Sequence, residues 1–508
     1  MNRREFLEAA VAAAAAAALP GCGKDGREAA SFGPNVVIFL ADQLRASALG
    51  PYGETNIETP TADRLAAQGT TFDRALSTFP LCQPYRGMLM TGRHPTHSGV
   101  VLNRVETSPV QNPQTLGVLF SQAGWHTGYI GKWHLAPGAL AIRGRFPGDP
   151  EGRRAYLAAH PDQEFVPPGP ARLGFRHWEA YNYHGDASGY WFYRDRPEKV
   201  FAEGYETDVL VDQAISYLEA RRQAREPFLL VVSPHAPHPP FAPEHCPPGY
   251  LERVRAQPVW QPDVPQDSRL RREPLPARCY YSMVRHSDDA LGRLLRYVDE
   301  SGLSETTLLL FTSDHGEMLG SRDRWGKQLP YHESIGVPLL ARWPGVVPAG
   351  ARSDALFTPL DYLPTLCGLA GITAPDYVDG LDLGAVLRGE AAHAPREAAL
   401  LMNTAPSMRA FSGERGVPEW RGVRTRRFSY IAWRSGEEEL YDDVADPHQL
   451  ANLAGDATSE DDVEQMRGQL RLLLAQAHDS FPKGDAYAEW FDAERRLRRT
   501  ALGPVPSF

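Results

Sequence analysis

Between residues 35 and 42 the chain reads NVVIFLAD, with no polar side chain between its first and last residues. A strand of this composition offers water nothing on either face, so both faces must be covered, which calls for a mostly parallel sheet flanked by helices. Three more segments repeat the demand: HTGYI (126–130), FLLVVS (228–233) and TLLLFTS (307–313). Helical patterns fill the intervals. TPTADRLAAQG (59–69) has a threonine to cap it, proline at the first helical position and glycine just past the end. PQTLGVLFSQAG stops at Gly124, and both YETDVLVDQAISYLEARR and YYSMVRHSDDALGRLLRYVDESG have helical periodicity. Strand alternating with helix predicts an α/β fold, a doubly wound, mostly parallel central sheet with helices on both faces.

The 508 residues leave room for two domains of unequal size. Residues 147–170 and 246–276 lack periodicity and read as long loops. Past about Pro395 the pattern changes to WRGVRTRRFSYIAWRSGEEELYDD, short strands joined by a Ser-Gly turn, and then to a charged helix from about Ser459. We therefore expect a catalytic domain over 33–394 and a smaller α+β subdomain with a short antiparallel sheet over 395–508. The opening MNRREFLEAAVAAAAAAALPGCGKD has the shape of an export signal over 1–22. Arg3 and Arg4 ahead of Phe6 and Leu7 resemble a twin-arginine signal, and LPGC ending at Cys22 resembles a lipobox. Lipidation of Cys22 and plain cleavage are both open; each puts the mature protein outside the cytoplasm, in the periplasm, held at a membrane by lipid only, or secreted. Five cysteines allow at most one disulfide once Cys22 and Cys82 are set aside. The net charge of -10 argues against nucleic acid as a partner, and oligomeric state is not legible.

Ligands of open α/β sheets bind beyond the carboxyl ends of the strands. Here those ends deliver Asp42 and Gln43, Lys132 and His134, His235 and His238, and Asp314 and His315. Asp42, Gln43, Asp314 and His315 suit a divalent cation, although an aspartate after a strand can equally cap the next turn. Lys132, Lys327 and Arg86 would surround a tetrahedral anion with positive charge. In PLCQPYRGMLMTGRHP (80–95), Pro84 fits only the first turn of a helix, so Cys82 stands at or just before a helix N-terminus, where thiolate character rises. The plainer alternative is a buried, inert thiol.

Cys82, Pro84 and Arg86, followed by Leu89, Thr91 and Gly92, resemble the signature of the type I, formylglycine-dependent sulfatases of the alkaline-phosphatase-like superfamily. NVVIFLADQLRASALGPYG, GYIGKWH, PHAPHPPF, TSDHGEMLGSRDRWGKQLPYHESIGVPLLARWPG, TPLDYLPTLCGLAG and LYDDVADPHQLANLA resemble further family segments, so the likeness covers nearly all of the mature chain. The resemblance implies a sulfuric ester hydrolase whose Cys82 is oxidised to formylglycine by a formylglycine-generating or radical maturation enzyme. It implies metal ligation by Asp42, Gln43, Asp314 and His315. One hydroxyl of the hydrated formylglycine would attack sulfur with Asp314 as base, and His238 would protonate the leaving oxygen. His134 would then deprotonate the second hydroxyl to expel sulfate. Lys132 and Arg86 would hold the formylglycine end, and Lys132 and Lys327 would contact sulfate oxygens.

Many family members carry aspartate where Gln43 stands and asparagine where His315 stands. The shell here therefore carries less negative charge and one nitrogen donor; calcium stays the ion expected, with manganese, magnesium and zinc kept open. The Gln and His pattern also resembles the phosphonate monoester hydrolase and choline sulfatase branches, and Tyr85 replaces a common serine. For the substrate, a sulfated small molecule or glycan, the candidates are Asn103 and His184. Tyr181, Tyr183, Tyr190 and Trp191 would suit a sugar ring or, equally, core packing. The alternatives are a phosphonate monoester or phosphodiester hydrolase with the same site, and a pseudoenzyme that binds sulfated glycans without turnover. The latter predicts a missing catalytic group, and none is missing.

Overall fold

The computed structural model describes residues 33–137, 151–152, 164–183, 189–391, 395–404 and 417–506. The expected export signal with Cys22, the candidate His184 and most of the 147–170 segment lie outside the described residues. The strands are β1 (Asn35–Ala41), β2 (Thr70–Phe72), β3 (His126–Lys132), β4 (His177–Tyr181), β5 (Trp191–Phe192), β6 (Val200–Phe201), β7 (Phe228–Ser233), β8 (Thr307–Ser313), β9 (Leu339–Arg342), β10 (Ala351–Ser353), β11 (Ala398–Asn403), β12 (Trp420–Thr425), β13 (Phe428–Trp433), β14 (Glu438–Asp442), β15 (Arg499–Thr500) and β16 (Gly503–Pro504).

Eight of them form the central sheet in the order β10-β2-β9-β8-β1-β7-β3-β4. Its pairs are parallel except those made by β9, which runs antiparallel to β2 and β8. Strand β1 lies between β8 and β7, and its side chains alternate as the composition demands. Val36, Ile38 and Leu40 enter one core with Leu116, Phe120, Leu363 and Leu366, whereas Val37, Phe39 and Ala41 enter the opposite core with Leu210, Ala214, Leu291 and Leu295. Each fully buried aliphatic side chain contributes about 1.5–3 kcal/mol, so the sheet is held by a core on either side.

The helix Pro60–Gln68 begins where expected, but Thr59 does not cap it. Asp288 accepts from the amides of Thr61 and Ala62 at 2.9 and 2.8 Å, while the Thr59 hydroxyl accepts from Gly50 N. A carboxylate from a helix distant in sequence does the capping that a local residue was expected to do.

Strands β11 to β14 form the small antiparallel sheet expected C-terminally, and Gly436 lies in the left-handed region at the turn between β13 and β14. The helix Glu460–Gln476 covers one face through Val463, Met466 and Leu470. The other face packs Leu401, Trp420, Ile431 and Tyr441 against Ile335 of the large sheet's flank. The edge strand β11 was not foreseen.

Candidate active site

Strands β1 and β8 are parallel and in register, with Ala41 opposite Ser313. The residues that leave them, Asp42 and Asp314, therefore emerge side by side, both fully buried. Gln43 turns the chain with φ 69°, and its amide donates to Asp314 Oδ1 at 3.1 Å. On the other side of β1 come β7, ending at Ser233, and β3, which runs through Lys132. Gly131 has φ 99°, and a Cβ there would stand 2.3 Å from the Ser233 carbonyl oxygen. Only glycine lets β3 approach β7 this closely.

Cys82 is the first residue of the helix Cys82–Thr91, whose ten residues are all buried. Its thiol faces the four strand ends: Sγ is 3.2 Å from His315 Nε2, 3.1 Å from Lys327 Nζ and 3.9 Å from Asp42 Oδ1. Arg86, one turn along, uses every edge of its guanidinium. It donates to Asp314 Oδ2 at 3.1 Å, the Lys132 carbonyl at 2.7 Å and Ser233 Oγ at 2.8 Å, and it reaches Asp42 Oδ2 at 3.5 Å. With its donors committed, Arg86 positions the two carboxylates. Lys132 Nζ is ion-paired with Asp42 Oδ2, and Lys327 Nζ donates to Gln43 Oε1 at 2.8 Å.

Electrostatics follow from this packing. Burial opposes ionisation of Asp42, yet Lys132, His238, Lys327 and Arg86 hold its carboxyl well below the ordinary value. Burial and Asp42 resist a thiolate at Cys82, but Lys327, Lys132 and His315 outweigh them and lower its pKa. His134 and His238 are held neutral, each first by burial, then by Lys132 and Lys327 respectively. Neither ring nitrogen of His134 has a hydrogen-bond partner among the described residues. The Nδ1 of His238 lies 2.9 Å from the Pro239 carbonyl oxygen; in the neutral ring this tautomer leaves Nε2 as an acceptor.

His235 stacks on His238 with ring centroids 4.4 Å apart, and its backbone amide donates to Glu206. Asn103 uses its side-chain oxygen to accept from the Gln83 amide at 3.0 Å, beside Cys82. Of the four aromatic candidates, Tyr181 and Tyr190 are fully buried in the core. Tyr183 instead lies against the site, 5.4 Å from Lys132 Nζ, with its ring 5.3 Å from that of His134.

Several groups escaped the sequence reading. Glu317, fully buried, accepts from Gln43 Nε2 and so turns Oε1 of that amide toward Lys327 and the thiol. Its signal was an acidic residue two past His315 in TSDHGE. Ser233 and Tyr129 both bind Arg86. Gln328, after Lys327, donates its amide to the Pro80 carbonyl, and its own carbonyl accepts from Trp420 Nε1 at 2.8 Å. No local pattern announces that pair.

A divalent cation fits the donor chemistry. Ligand atoms of Asp42, Cys82, Asp314 and His315 lie within 4.8 Å of one another, and the Gln43 amide, fixed by Glu317, adds an oxygen. Two carboxylates, an amide oxygen and one imidazole are a common donor set for such an ion.

A sulfatase family model matches residues 34–372, and one for the C-terminal part of N-sulphoglucosamine sulphohydrolase matches residues 320–476. The ulvan-active sulfatase of Formosa agariphila is 34% identical over 467 residues, covering 90% of this chain and 84% of that protein. The N-acetylglucosamine-6-O-sulfatase of Bacteroides thetaiotaomicron is 25% identical over 91% of this chain and 90% of its own length. Among solved structures, that of yidJ from Bacteroides fragilis superposes with a TM-score of 0.76 at 26% identity, covering 92% of this chain and 99% of that one. Thiol, paired carboxylates and surrounding cations thus stand on the fold of these relatives, and the chain belongs to the sulfatase family of the alkaline-phosphatase-like superfamily.

Proposed function

We propose that this protein hydrolyses a sulfate ester of a carbohydrate, with Cys82, converted to formylglycine, as the nucleophilic centre. The observation that carries the reading is the position of the thiol, 3.1 Å from Lys327 and 3.2 Å from His315 at a buried meeting point of two aspartates and three cations. The converted side chain supplies a hydrated aldehyde and thus a hydroxyl nucleophile. Asp42, Gln43, Asp314 and His315 would hold the metal, which supplies Lewis-acid polarisation and charge; calcium is the ion expected, and manganese, magnesium and zinc are its competitors.

The remaining work falls to side chains. Lys132 and Lys327 bind sulfate oxygens, and Arg86 keeps Asp42 and Asp314 in place. Asp314 accepts the proton of the attacking hydroxyl. His238 donates a proton to the leaving sugar oxygen. Burial first and Lys327 second oppose its protonation; an anionic sulfate beside Lys327 offsets the second of these, so substrate binding favours the acid form. His134, neutral and with both ring nitrogens unpartnered among the described residues, is suited to take the proton whose loss releases sulfate. Tyr183, against Lys132 and His134, and Asn103, beside Cys82, are the candidates to meet the sugar, and His184 stays a candidate on sequence grounds.

Relatives named for ulvan and for N-acetylglucosamine 6-O-sulfate support the carbohydrate substrate. The amino-terminal twin-arginine pattern supports action after export, with lipid attachment at Cys22 one of its two outcomes; no helix among the described residues is long and apolar enough to cross a membrane. We place the catalytic domain at 33–394 and the smaller subdomain at 395–508. Turnover on a panel of sulfated mono- and oligosaccharides, with a matched aryl sulfate and aryl phosphodiester as controls, tests the reading. Sulfate release from at least one saccharide is expected; a large preference for the phosphodiester would make the protein a phosphonate or phosphodiester hydrolase instead.

A further inference from the structure

Away from the thiol, three segments bring ionisable side chains to one point. Asp263 comes from the long loop between β7 and the helix Leu275–Glu300, Glu333 from the short helix His332–Ile335, and His448 from the loop after β14. One ligand atom from each lies within 4.8 Å of the other two. Asp263 is 5% exposed, and neither of its carboxylate oxygens has a hydrogen-bond partner among the described residues. A buried carboxylate without partners is strongly disfavoured; such groups are paired or coordinate a metal.

Arg45 and Arg322 stand near enough to favour charge on Glu333, but their side chains are engaged elsewhere. Arg45 donates to Tyr281 OH at 3.0 Å and to the Met318 carbonyl. Arg322 donates to the Gln449 carbonyl, with its guanidinium 4.0 Å from the Tyr331 ring centroid. Among the described residues no ion pair joins either arginine to Asp263 or Glu333.

We propose that Asp263, Glu333 and His448 form a second divalent-cation site, distinct from the one beside Cys82. Two carboxylates and one imidazole favour a first-row transition ion of the zinc or manganese type, with water completing the shell. The placement gives such an ion a structural purpose. The Glu333 carbonyl oxygen lies 1.9 Å from where a Cβ on Gly316 would stand, and Gly316 N donates to the Ser334 carbonyl at 2.9 Å. The segment that carries Glu333 is therefore packed onto the residue after His315. On the other side, Gln449, next to His448, accepts from His332 N at 3.1 Å. An ion held by all three side chains fastens the C-terminal sheet to the turn that presents His315.

The test is equilibrium dialysis of the full chain, stripped with a chelator and then loaded with Zn2+. Asp263→Asn and His448→Gln are each expected to take up one equivalent less than the wild type and to lose the Zn2+-dependent rise in Tm. Asp314→Asn, altered at the other cluster, is expected to keep that rise. Unchanged zinc uptake in both Asp263→Asn and His448→Gln overturns the proposal. Should Asp263→Asn fail to fold, anomalous diffraction from wild-type crystals soaked in Zn2+ decides. A peak among the three side chains supports the site, and a peak at Asp42 and Asp314 with none there contradicts it.

Discussion

His134 and His238 are both held neutral at the edge of the same cation cluster, but their surroundings suit them to opposite proton transfers. His238 matters only as far as the leaving oxygen needs a proton. Replacing it with alanine should lower kcat/KM on a sugar sulfate by about 100-fold or more, yet by less than about tenfold on a nitrophenyl sulfate, whose leaving group departs unaided. Equal losses on both would remove it from the acid role. Glu206 offers a residue-scale test of stability. Burial pushes its carboxyl up from 4.5 to about 7, against the lowering effect of Tyr181 and the His235 amide. The folded chain then holds a proton that the unfolded chain releases above pH 4.5. The contribution is complete below that value and fades as pH rises toward 7, by up to about 3 kcal/mol. Thermal melts of Glu206→Gln should show a flatter pH dependence over this window; an unchanged slope would place the dependence elsewhere.

At the scale of elements, the site depends on how closely β3 can approach β7. Gly131→Ala combines a positive φ with a Cβ 2.3 Å from the Ser233 carbonyl oxygen, so we expect a loss of about 2–4 kcal/mol in stability. Because Lys132 follows directly and its carbonyl binds Arg86, kcat should fall as well; a variant with wild-type melting and turnover would show that the approach is not needed. Elements were the most legible part of the sequence. The run VVIFLA has one physical solution, and Pro84 fixes a helix start near Cys82. What the sequence could not reveal were the partners of those elements. The cap on Pro60–Gln68 comes from Asp288, and the antiparallel β9 enters the sheet as a short strand with no pattern of its own to fix its direction.

Across the whole molecule, the small sheet supports the large one's chemistry. Trp420 of β12 donates to the carbonyl of Gln328, adjacent to Lys327, and the Gln328 amide binds the Pro80 carbonyl ahead of Cys82. Trp420→Phe keeps the buried ring while removing that donor. It should cost about 1 kcal/mol of stability and raise KM several-fold with little change in kcat, as a loosened sulfate-binding lysine would; an unchanged KM would uncouple the two sheets. The strand-end chemistry was legible because topology aligns strand termini, so Asp42, Lys132 and Asp314 could be grouped from their positions alone. Trp420 reaches Gln328, and Asp263 reaches Glu333 and His448, through folds of the chain that no local spacing encodes. Conversion of Cys82 is measured directly by mass spectrometry of its peptide alongside sulfate release, in protein made with graded amounts of a maturation enzyme. Activity should rise in proportion to the fraction of Cys82 converted to formylglycine and vanish in Cys82→Ala. Full activity from protein carrying only the unmodified thiol would contradict the account.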